Sequence, residues 1–378
     1  MPYKRPIPNM TLVARLAALA ADQPDALLYR EITPDTAASR KWVCREWSYR
    51  ETQWHADRVA GFLQTKLGDT TSVMPPRVVI AMPAGLDYIA AYLGCLRAGA
   101  IAVPAYPPRR PQRSERLHAI LADSGARLIL AHASLTEMMS SSNGRMASNV
   151  DPSVQWQSIE AIDDANAAQV RPTSINSDDI AFLQYTSGSS GTPKGVAVTH
   201  GNLVHNQSLI QSSFVSDVHD AVVGWLPPHH DMGLIGNVLH PLYLGASLTL
   251  MKPIDFLQSP VRWLRALADF GGTISGGPNF AYRLCVDEID DADLDGLDLS
   301  RWQVAFNGAE PIDADVIDAF SDRFESVGFD RRAFCPCYGM AETTLLVTSA
   351  TRMRGVTCHK REHDEGTRRV SCGSAHQE

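Results

Sequence analysis

Residues 184–202 read Gln-Tyr-Thr-Ser-Gly-Ser-Ser-Gly-Thr-Pro-Lys-Gly-Val-Ala-Val-Thr-His-Gly-Asn, and the interpretation of the whole chain starts from them. Glycines allow positive φ, so backbone N–H groups can turn toward an anion, while hydroxyls and an ammonium group add donors and charge. These groups come from Thr186, Ser187, Gly188, Ser189, Ser190, Gly191, Thr192 and Lys194. The stretch therefore predicts a loop that binds phosphate groups.

Two other loops have a similar composition. A flexible Ser/Gly linker is one of them. Here, however, an apolar run at 180–185 predicts a strand entering the loop, 196–198 predicts a strand leaving it, and a helix is expected from residue 202. The other is a Walker-type P-loop, which needs Gly before the Lys and Ser or Thr after it. Because Pro193 and Gly195 occupy those places, the sequence excludes that motif.

Length and composition set the broad class of the protein. The chain has 378 residues, of which 44% are hydrophobic and 20% charged, so two or three globular cores are expected. The net charge of −8 and the scattered basic residues predict no nucleic-acid partner. The seven cysteines form no C-x-x-C pair, a pattern typical of a reducing compartment. A cytoplasmic location is therefore predicted.

No membrane span is expected. The first residues lack the apolar core of a signal peptide. Residues 222–251 carry Asp231 as their one formal charge, but prolines and the pair His229-His230 interrupt them. Such a stretch favours a buried interior.

Strand and helix patterns alternate along the chain, which predicts an α/β fold with parallel strands. Polar turns are expected over 134–176, where the pattern weakens. We place the domains at 1–176, 177–348 and 349–378, with two α/β subdomains sharing one crevice. The predicted helices are 11–21, 49–67, 85–98, 113–124, 202–212, 257–270, 278–287 and 313–327, and the predicted strands include a hairpin of 27–32 and 42–47, then 77–82, 100–105, 126–131 and 242–250.

Three later segments carry groups suited to a ligand site. Residues 225–234, Trp-Leu-Pro-Pro-His-His-Asp-Met-Gly-Leu, place two imidazoles and a carboxylate in a proline-rich turn. A structural turn explains such a pattern, whereas zinc would need further ligands at fixed spacing. Residues 302–311 and 334–343 each predict a buried strand followed by a turn at Asn307-Gly308 and Tyr338-Gly339, and ligands of parallel sheets bind at such strand ends.

Taken together, the segments 184–195, 225–234 and 306–342 resemble those of the acyl-adenylate-forming superfamily, and of its fatty acyl-AMP ligases in particular. The resemblance covers essentially the whole chain. It implies the large amino-terminal domain of such an enzyme, with the terminal β-barrel subdomain and the carboxy-terminal lid largely missing. We therefore expect an amino-terminal portion of a longer enzyme, which by itself is weakly active or inactive.

The resemblance also assigns site residues. It implies that Lys194, His230 and Glu342 are catalytic, with His230 a partly buried imidazole that orients the carboxylate, and that Glu342 holds Mg²⁺. Many superfamily members have Thr at the position of Ala341. Beyond the phosphate loop, it implies ATP contacts at Asn307, Gly308, Ala309, Glu310, Tyr338, Gly339, Met340 and Ala341. It implies an acyl tunnel lined by Trp225, Met232, Gly277 and Phe280.

The implied reaction is the activation of a long-chain fatty acid with ATP, forming an acyl-adenylate and pyrophosphate. The implied acceptor is the phosphopantetheine thiol of an acyl carrier protein. A long-chain acyl-CoA synthetase is the alternative enzyme, and a module that only binds nucleotide and acyl chain is the alternative of another class.

The final residues are open to two interpretations. Residues 349–371 lie where the fatty acyl-AMP ligases carry an insertion, and their alternating charges favour a solvated excursion. A metal site formed by Cys358, His359, His363 and Cys372 is the alternative, although its spacing fits no familiar zinc pattern.

Overall fold

The computed structural model describes residues 10–36, 41–68, 75–108, 114–141, 153–186, 193–360 and 368–375. The helices are α1 Leu12–Asp22, α2 Tyr49–Leu67, α3 Leu86–Ala98, α4 Glu115–Ser124, α5 Ala133–Ser141, α6 His200–Phe214, α7 His240–Leu244, α8 Pro253–Gln258, α9 Val261–Asp269, α10 Asn279–Glu288 and α11 Ala314–Phe324. A π-helix covers Met232–Leu239.

The strands are β1 Leu27–Pro34, β2 Trp42–Ser48, β3 Arg77–Ala81, β4 Ile101–Pro104, β5 Leu128–Ala131, β6 Gln155–Ser158, β7 Ile180–Thr186, β8 Lys194–Thr199, β9 Ala221–Gly224, β10 Ser247–Met251, β11 Ile274–Gly277, β12 Val304–Asn307, β13 Phe334–Gly339, β14 Leu346–Ser349, β15 Cys358–Lys360, β16 Arg368–Val370 and β17 Ser374–Ala375. The alternation of strands and helices confirms the predicted α/β class. Within these described residues, no helix is long and apolar enough to cross a membrane.

The chain forms two compact units, and neither follows the predicted boundary near residue 176. The first unit comprises Ile7–Leu27 and Trp47–Val204, and the second is built chiefly from Leu28–Glu46 and His205–Glu378. The difference arises because β7 pairs with β4 in the first sheet, whereas β1 pairs with β10 in the second. Local sequence patterns carry no information about such distant pairing.

The first unit contains a sheet in the order β6-β5-β3-β4-β7-β8, in which β8 alone runs antiparallel to its neighbour. Helix α2 begins at a capping box, because Ser48 and Glu51 bond each other's backbone N–H groups. Helix α3 packs closely on α2 at Gly94, where an added Cβ would lie 2.5 Å from Val59 Cβ. A buried apolar core centred on Val79 and Ile129 fills one face of the sheet.

The second unit contains a sheet in the order β17-β14-β13-β12-β11-β9-β10-β1-β2. Strands β1, β10, β9, β11, β12 and β13 are parallel, while β14 and β17 are antiparallel additions. The carboxyl ends of β9, β11, β12 and β13 therefore meet along one edge of the sheet. That edge is where a parallel sheet places its ligands.

Buried aromatic rings anchor the centre of this sheet. The rings of Trp263 and Trp302 lie 5.3 Å apart, and the ring of Tyr282 lies 5.5 Å from that of Trp263. Their polar atoms are also used: Trp302 Nε1 donates to the Val304 carbonyl, and Tyr282 Oη donates to the Phe306 carbonyl. Because a buried N–H or O–H needs a partner, these bonds fix the rings against β12.

Three sequence predictions of secondary structure need correction. The stretch 134–176 contains α5 and β6, and β6 escaped prediction because it is an edge strand with no fully buried side chain. The predicted strand 242–250 is helical over its first residues and becomes β10 only at Ser247, since short apolar runs do not distinguish helix from strand. The predicted helix 257–270 is divided at Pro260 between α8 and α9.

Residues 349–371 were predicted to form a solvated excursion, and the described residues among them include two short strands. Strands β15 and β16 pair antiparallel there, with Cys358 opposite Val370. Arg368 forms ion pairs with Asp315 and Asp318 of α11. The described part of the chain holds no group of three or more metal-binding side chains, and His363 of the proposed metal set lies outside it.

A buried ion pair closes the amino edge of the second sheet. Arg352 Nη2 and Nη1 donate to the two carboxylate oxygens of Asp220, at 2.9 and 3.0 Å. Thr273 Oγ1 donates to the same carboxylate, and Arg352 Nε donates to Gln303 Oε1. Burial opposes ionisation of Asp220, but the hydrogen bonds from Arg352 and Thr273 outweigh it and lower its pKa. These residues precede β9, β11 and β12, so one cluster aligns the starts of three strands.

We expect Arg352→Leu to lower the free energy of unfolding by about 3 kcal/mol at pH 7, because it leaves the Asp220 carboxylate buried and unpaired. The pKa of Asp220 is lowered in the folded protein, so the stabilisation is present above the ordinary pKa and is lost as the pH falls through the folded pKa. Urea unfolding curves of the two proteins should therefore converge in acid. The matched control is Arg354→Leu, at an exposed position, which should change stability little. Equal stabilities of native protein and Arg352→Leu at pH 7 would contradict this assignment.

Candidate functional site

A pocket of about 240 Å³ lies at the carboxyl edge of the second sheet. Its walls come from α6, the π-helix, the ends of β12 and β13, and the chain entering β14. The residues lining it are Ile210, Phe214, Asp231, Met232, Gly236, Phe306, Ala309, Cys337, Tyr338, Gly339, Leu345 and Leu346. Most of these are apolar, and the rings of Phe214 and Phe306 stack with centroids 6.2 Å apart. The pocket therefore suits an apolar ligand with a polar part near the strand ends.

In the loop after β12, some residues hold the start of α10 and one lines the pocket. Asn307 Nδ2 donates to Asn279 Oδ1, and Glu310 Oε1 accepts the Phe280 N–H at 2.6 Å. Both side chains thus hold the amino terminus of α10. Of the residues predicted to contact nucleotide in this loop, Ala309 is the one that lines the pocket. Gly308 packs against β13, since an added Cβ would lie 2.7 Å from Cys337 Sγ.

Ala309 has φ of +70°, a value that non-glycine residues rarely adopt. Thr344, beside the pocket residue Leu345, has φ of +74°. Backbone strain of this kind persists where the surrounding structure imposes it, and it concentrates at functional sites. Both residues lie at or beside the pocket, so the strained backbone and the cavity independently indicate the same candidate site.

The segment after β13 presents an aromatic face and a carboxylate. The side chain of Tyr338 is 51% exposed and lines the pocket, and Met340 beside it is 37% exposed. Ala341 is buried, whereas Glu342 is exposed. An exposed ring at a strand end can stack on a purine, and an exposed carboxylate can share a divalent cation with phosphate oxygens.

The turn 225–231 brings a second carboxylate to the pocket. Asp231 accepts the Met232 N–H at 2.7 Å, and burial raises its pKa, with the Glu342 carboxylate acting in the same direction. His230 opposes that rise, so the Asp231 carboxylate interacts electrostatically with two of the three predicted catalytic residues. His230 is an exposed residue, and its predicted role stays a prediction. Its ring lies 4.7 Å from that of His229.

The residues predicted to form the acyl tunnel fall into two groups. Met232 lines the pocket. Trp225 instead stacks on Phe256 at 4.1 Å, and its ring packs over Gly277, where an added Cβ would lie 2.6 Å from the indole. Phe280 lies edge-on to Trp225 and is 43% exposed. Trp225, Gly277 and Phe280 therefore form an aromatic cluster of their own, outside the lining of this pocket.

A buried polar network holds the π-helix that carries Met232 and Gly236. Gln207 Nε2 donates to the Ile235 carbonyl at 2.9 Å, and His240 contacts Gln207 Oε1 through Nδ1 and Ser216 Oγ through Nε2. Since Gln207 Oε1 only accepts, the His240 proton is assigned to Nδ1. Burial lowers the pKa of His240 to about 3, so the imidazole is neutral at physiological pH.

This network predicts a distinctive pH dependence. Between pH 6.5 and about 3, His240 is protonated in the unfolded chain but stays neutral in the folded protein. The free energy of unfolding therefore decreases as the pH falls through this range. His240→Asn lacks that loss. Its stability deficit should shrink by up to about 1.4 kcal/mol per pH unit below pH 6.5, as measured by urea unfolding.

The control is His219→Asn, at an exposed position, whose stability should run parallel to that of the native protein. Parallel curves for native protein and His240→Asn between pH 4 and 7 would show that His240 is not buried in its neutral form.

The predicted phosphate loop belongs to the first unit. Thr186 and Lys194 end β7 and begin β8, and they face each other in the antiparallel register. Gly195 lies against the Tyr185 ring, where an added Cβ would come within 2.9 Å of Cζ. This hairpin confirms the predicted strands on both sides of the loop. Ser187, Gly188, Ser189, Ser190, Gly191 and Thr192 lie outside the described residues, and their role stays a prediction.

Several pocket residues were not predicted from the sequence. Phe214 and Ile210 belong to a helix whose apolar residues look like ordinary core, and Phe306 lies within a strand that is buried throughout. Cys337 lies within the segment 334–343, and Leu345 and Leu346 follow that segment. The sequence assigned no role to any of the three. The usable signal was Gly236, because a glycine inside an apolar run often marks a close approach or an open space.

Comparison with known proteins places this geometry in context. A family model described as AMP-binding enzyme matches residues 30–376. The medium-chain-fatty-acid (acyl-carrier-protein) ligase TtuA of Teredinibacter turnerae is 34% identical over 90% of this chain and 57% of its own length. The medium-chain-fatty-acid (acyl-carrier-protein) ligase JamA of Moorena producens is 39% identical over 80% of this chain and 50% of its own length. The chain thus spans little more than half the length of these relatives.

A solved structure shows the same fold. A fatty acyl-adenylate ligase from L. pneumophila, crystallised in complex with acyl adenylate and pyrophosphate, superposes with a TM-score of 0.85 at 35% identity. The superposition covers 97% of this chain and 64% of that one.

Proposed function

Because this chain belongs to the family of AMP-binding enzymes, we propose that it activates a fatty acid with ATP, forming an acyl-adenylate and releasing pyrophosphate. In this reaction a carboxylate oxygen attacks the α-phosphorus, and the bond from that phosphorus to the pyrophosphate oxygen breaks. The substrate we propose has a medium or long acyl chain. The relatives named above are medium-chain fatty acid ligases, which supports this class.

The pocket is the observation that carries the proposal. Its lining combines apolar side chains, such as Phe214 and Met232, with the exposed ring of Tyr338. An acyl-adenylate has the same two parts, an alkyl chain and a purine joined through a phosphate. A site for a nucleotide alone would not need the apolar wall, and a site for a lipid alone would not need an aromatic face at the strand ends.

The residues take complementary roles in this proposal. Lys194 and the hydroxyls of the phosphate loop bind the β- and γ-phosphates, and His230 donates to the reacting carboxylate as it is oriented. Mg²⁺ fits Glu342, because an exposed carboxylate beside phosphate oxygens and waters is a typical set of magnesium ligands. When bound, the ion neutralises phosphate charge.

For the acceptor we propose the phosphopantetheine thiol of an acyl carrier protein. Both ligases named above are, by name, ligases that join a fatty acid to an acyl carrier protein. In addition, β15 and β16 lie where the resemblance places the insertion that disfavours coenzyme A. The free cysteines support a reducing compartment such as the cytoplasm. Offering preformed acyl-adenylate with either carrier protein or coenzyme A distinguishes the acceptors, and faster transfer to coenzyme A would reject this part of the proposal.

The central test is binding of a stable acyl-adenylate in which a sulfamoyl group replaces the phosphate. The native chain should bind the dodecanoyl form more tightly than either sulfamoyl adenosine or free dodecanoate in calorimetry. Tyr338→Ala should weaken binding at least about tenfold, because it removes the ring that stacks on the purine. Tyr338→Phe keeps the ring and is the matched control. Equal affinity of native protein and Tyr338→Ala would overturn the assignment.

The pocket also predicts a dependence on acyl chain length. An added Cβ at Gly236 would touch only Leu345, at 3.7 Å, so a larger side chain fits there and fills the pocket. We expect Gly236→Leu to stay folded and to bind the dodecanoyl analogue at least about tenfold more weakly. Binding of the acetyl analogue, which leaves the pocket empty, should not change. If both analogues bind the variant as they bind native protein, this cavity does not hold the acyl chain.

A further inference from the structure

The loop that presents Glu342 is folded back on itself. The Leu345 N–H donates to the Thr343 carbonyl at 2.9 Å, and Thr344 between them has φ of 74° and ψ of −62°. These angles define a γ-turn of the rare, strained form. Thr344 is also β-branched and buried, so its side chain makes this conformation more unfavourable than it would be for glycine.

Further bonds close the loop around Glu342. The Met340 N–H donates to the Leu345 carbonyl at 3.0 Å, and the Thr344 N–H donates to the Ala341 carbonyl at 2.9 Å. Gly339 permits this closure, because an added Cβ would lie 1.9 Å from the Leu345 oxygen. Glu342 stands exposed within the resulting turn. Its position is therefore set by the γ-turn at Thr344.

A buried asparagine on α6 spans this strained turn. Asn206, 3% exposed, accepts the Leu346 N–H at 3.0 Å through Oδ1 and donates through Nδ2 to the Leu346 carbonyl at 2.9 Å. The same Nδ2 lies 3.4 Å from the Thr343 carbonyl. One amide thus contacts the backbone on both sides of Thr344. Among side chains of this size only an uncharged amide offers two donors and an acceptor in one plane.

We propose that Asn206 is a positioning residue, which holds the strained turn at Thr344 and thereby places Glu342 for magnesium-dependent binding of ATP. This inference rests on the proposed function. Strain persists only where surrounding contacts impose it, and the amide of Asn206 supplies such contacts at Thr343 and Leu346. Without them Thr344 can relax to negative φ, and the turn that carries Glu342 rotates.

The test compares two variants by calorimetry. Asn206→Asp keeps the shape and the acceptor but loses both N–H donors, so the affinity for ATP in the presence of Mg²⁺ should fall about tenfold. Thr344→Gly keeps the contacts of Asn206 and removes the strain. We expect a midpoint of thermal unfolding equal to or above that of native protein, together with weaker binding of ATP and Mg²⁺. A purely structural role of this loop would instead make stability and affinity change together.

Three controls separate the possible causes. Ser213→Ala removes a buried hydroxyl that donates within the same helix, to the Leu209 carbonyl, and should leave ATP affinity unchanged. Binding of the sulfamoyl acyl-adenylate, which contains no pyrophosphate, should change less than about threefold in Asn206→Asp. In a Glu342→Gln background, Asn206→Asp should have no further effect on ATP affinity, because its effect passes through Glu342.

The outcomes separate this inference from the function it rests on. If native protein binds neither ATP with Mg²⁺ nor the acyl-adenylate analogue, the proposed function fails and the role of Asn206 fails with it. If native protein binds both, two results overturn the role of Asn206 alone. One is an unchanged ATP affinity in Asn206→Asp, and the other is an equal loss for both ligands.

Discussion

The carbonyl of Phe306 is the point on which the site depends. It accepts the hydroxyl of Tyr282 from α10, while β12 remains paired with β11 and β13 through Asn307. The bond ties α10 to β12 one residue before the strand ends, where the chain leaves the sheet. Tyr282 is itself held by Trp263 and Phe334, whose rings lie 5.5 and 5.0 Å away. A packed aromatic core thus fixes the point at which the chain leaves β12 and enters the loop that borders the pocket.

The two edges of the second sheet have different roles: the amino edge stabilises the fold, and the carboxyl edge presents exposed groups. At the amino edge, Arg352 and Asp220 form a paired and hydrogen-bonded charge cluster, and no exposed group is needed for its role. At the carboxyl edge, polar groups are left exposed, as at Tyr338 and Glu342. Strain at Ala309 and Thr344 is tolerated there because the packed centre of the sheet holds both ends of each loop. Exposed groups on a rigid frame are what a binding site requires.

The sequence predicted elements whose signals are local. Helix α2 has the predicted limits because Ser48 and Glu51 form a capping box, and the β7–β8 hairpin follows from two apolar runs around a Gly-rich loop. Features that depend on distant contacts were not predictable. Strand β1 pairs with β10 across more than two hundred residues, so the division into units is invisible in local patterns. The exposure of His230 likewise depends on packing around its turn, which residue type does not determine.

The π-helix shows why the pocket itself escaped prediction. Its wide turn places Met232 and Gly236 toward the same cavity, whereas an apolar run read with a period of 3.6 predicts only a core-facing stripe. Such a turn leaves carbonyls poorly paired, and here side chains from elsewhere in the unit supply the missing donors: Gln207 to Ile235, and Tyr29 to Val238. Because Gln207 is in turn held by neutral His240, the shape of the pocket wall rests on a buried network whose own side chains do not line the pocket. Residues of this kind are specified by the packing of the fold and not by the chemistry of the site.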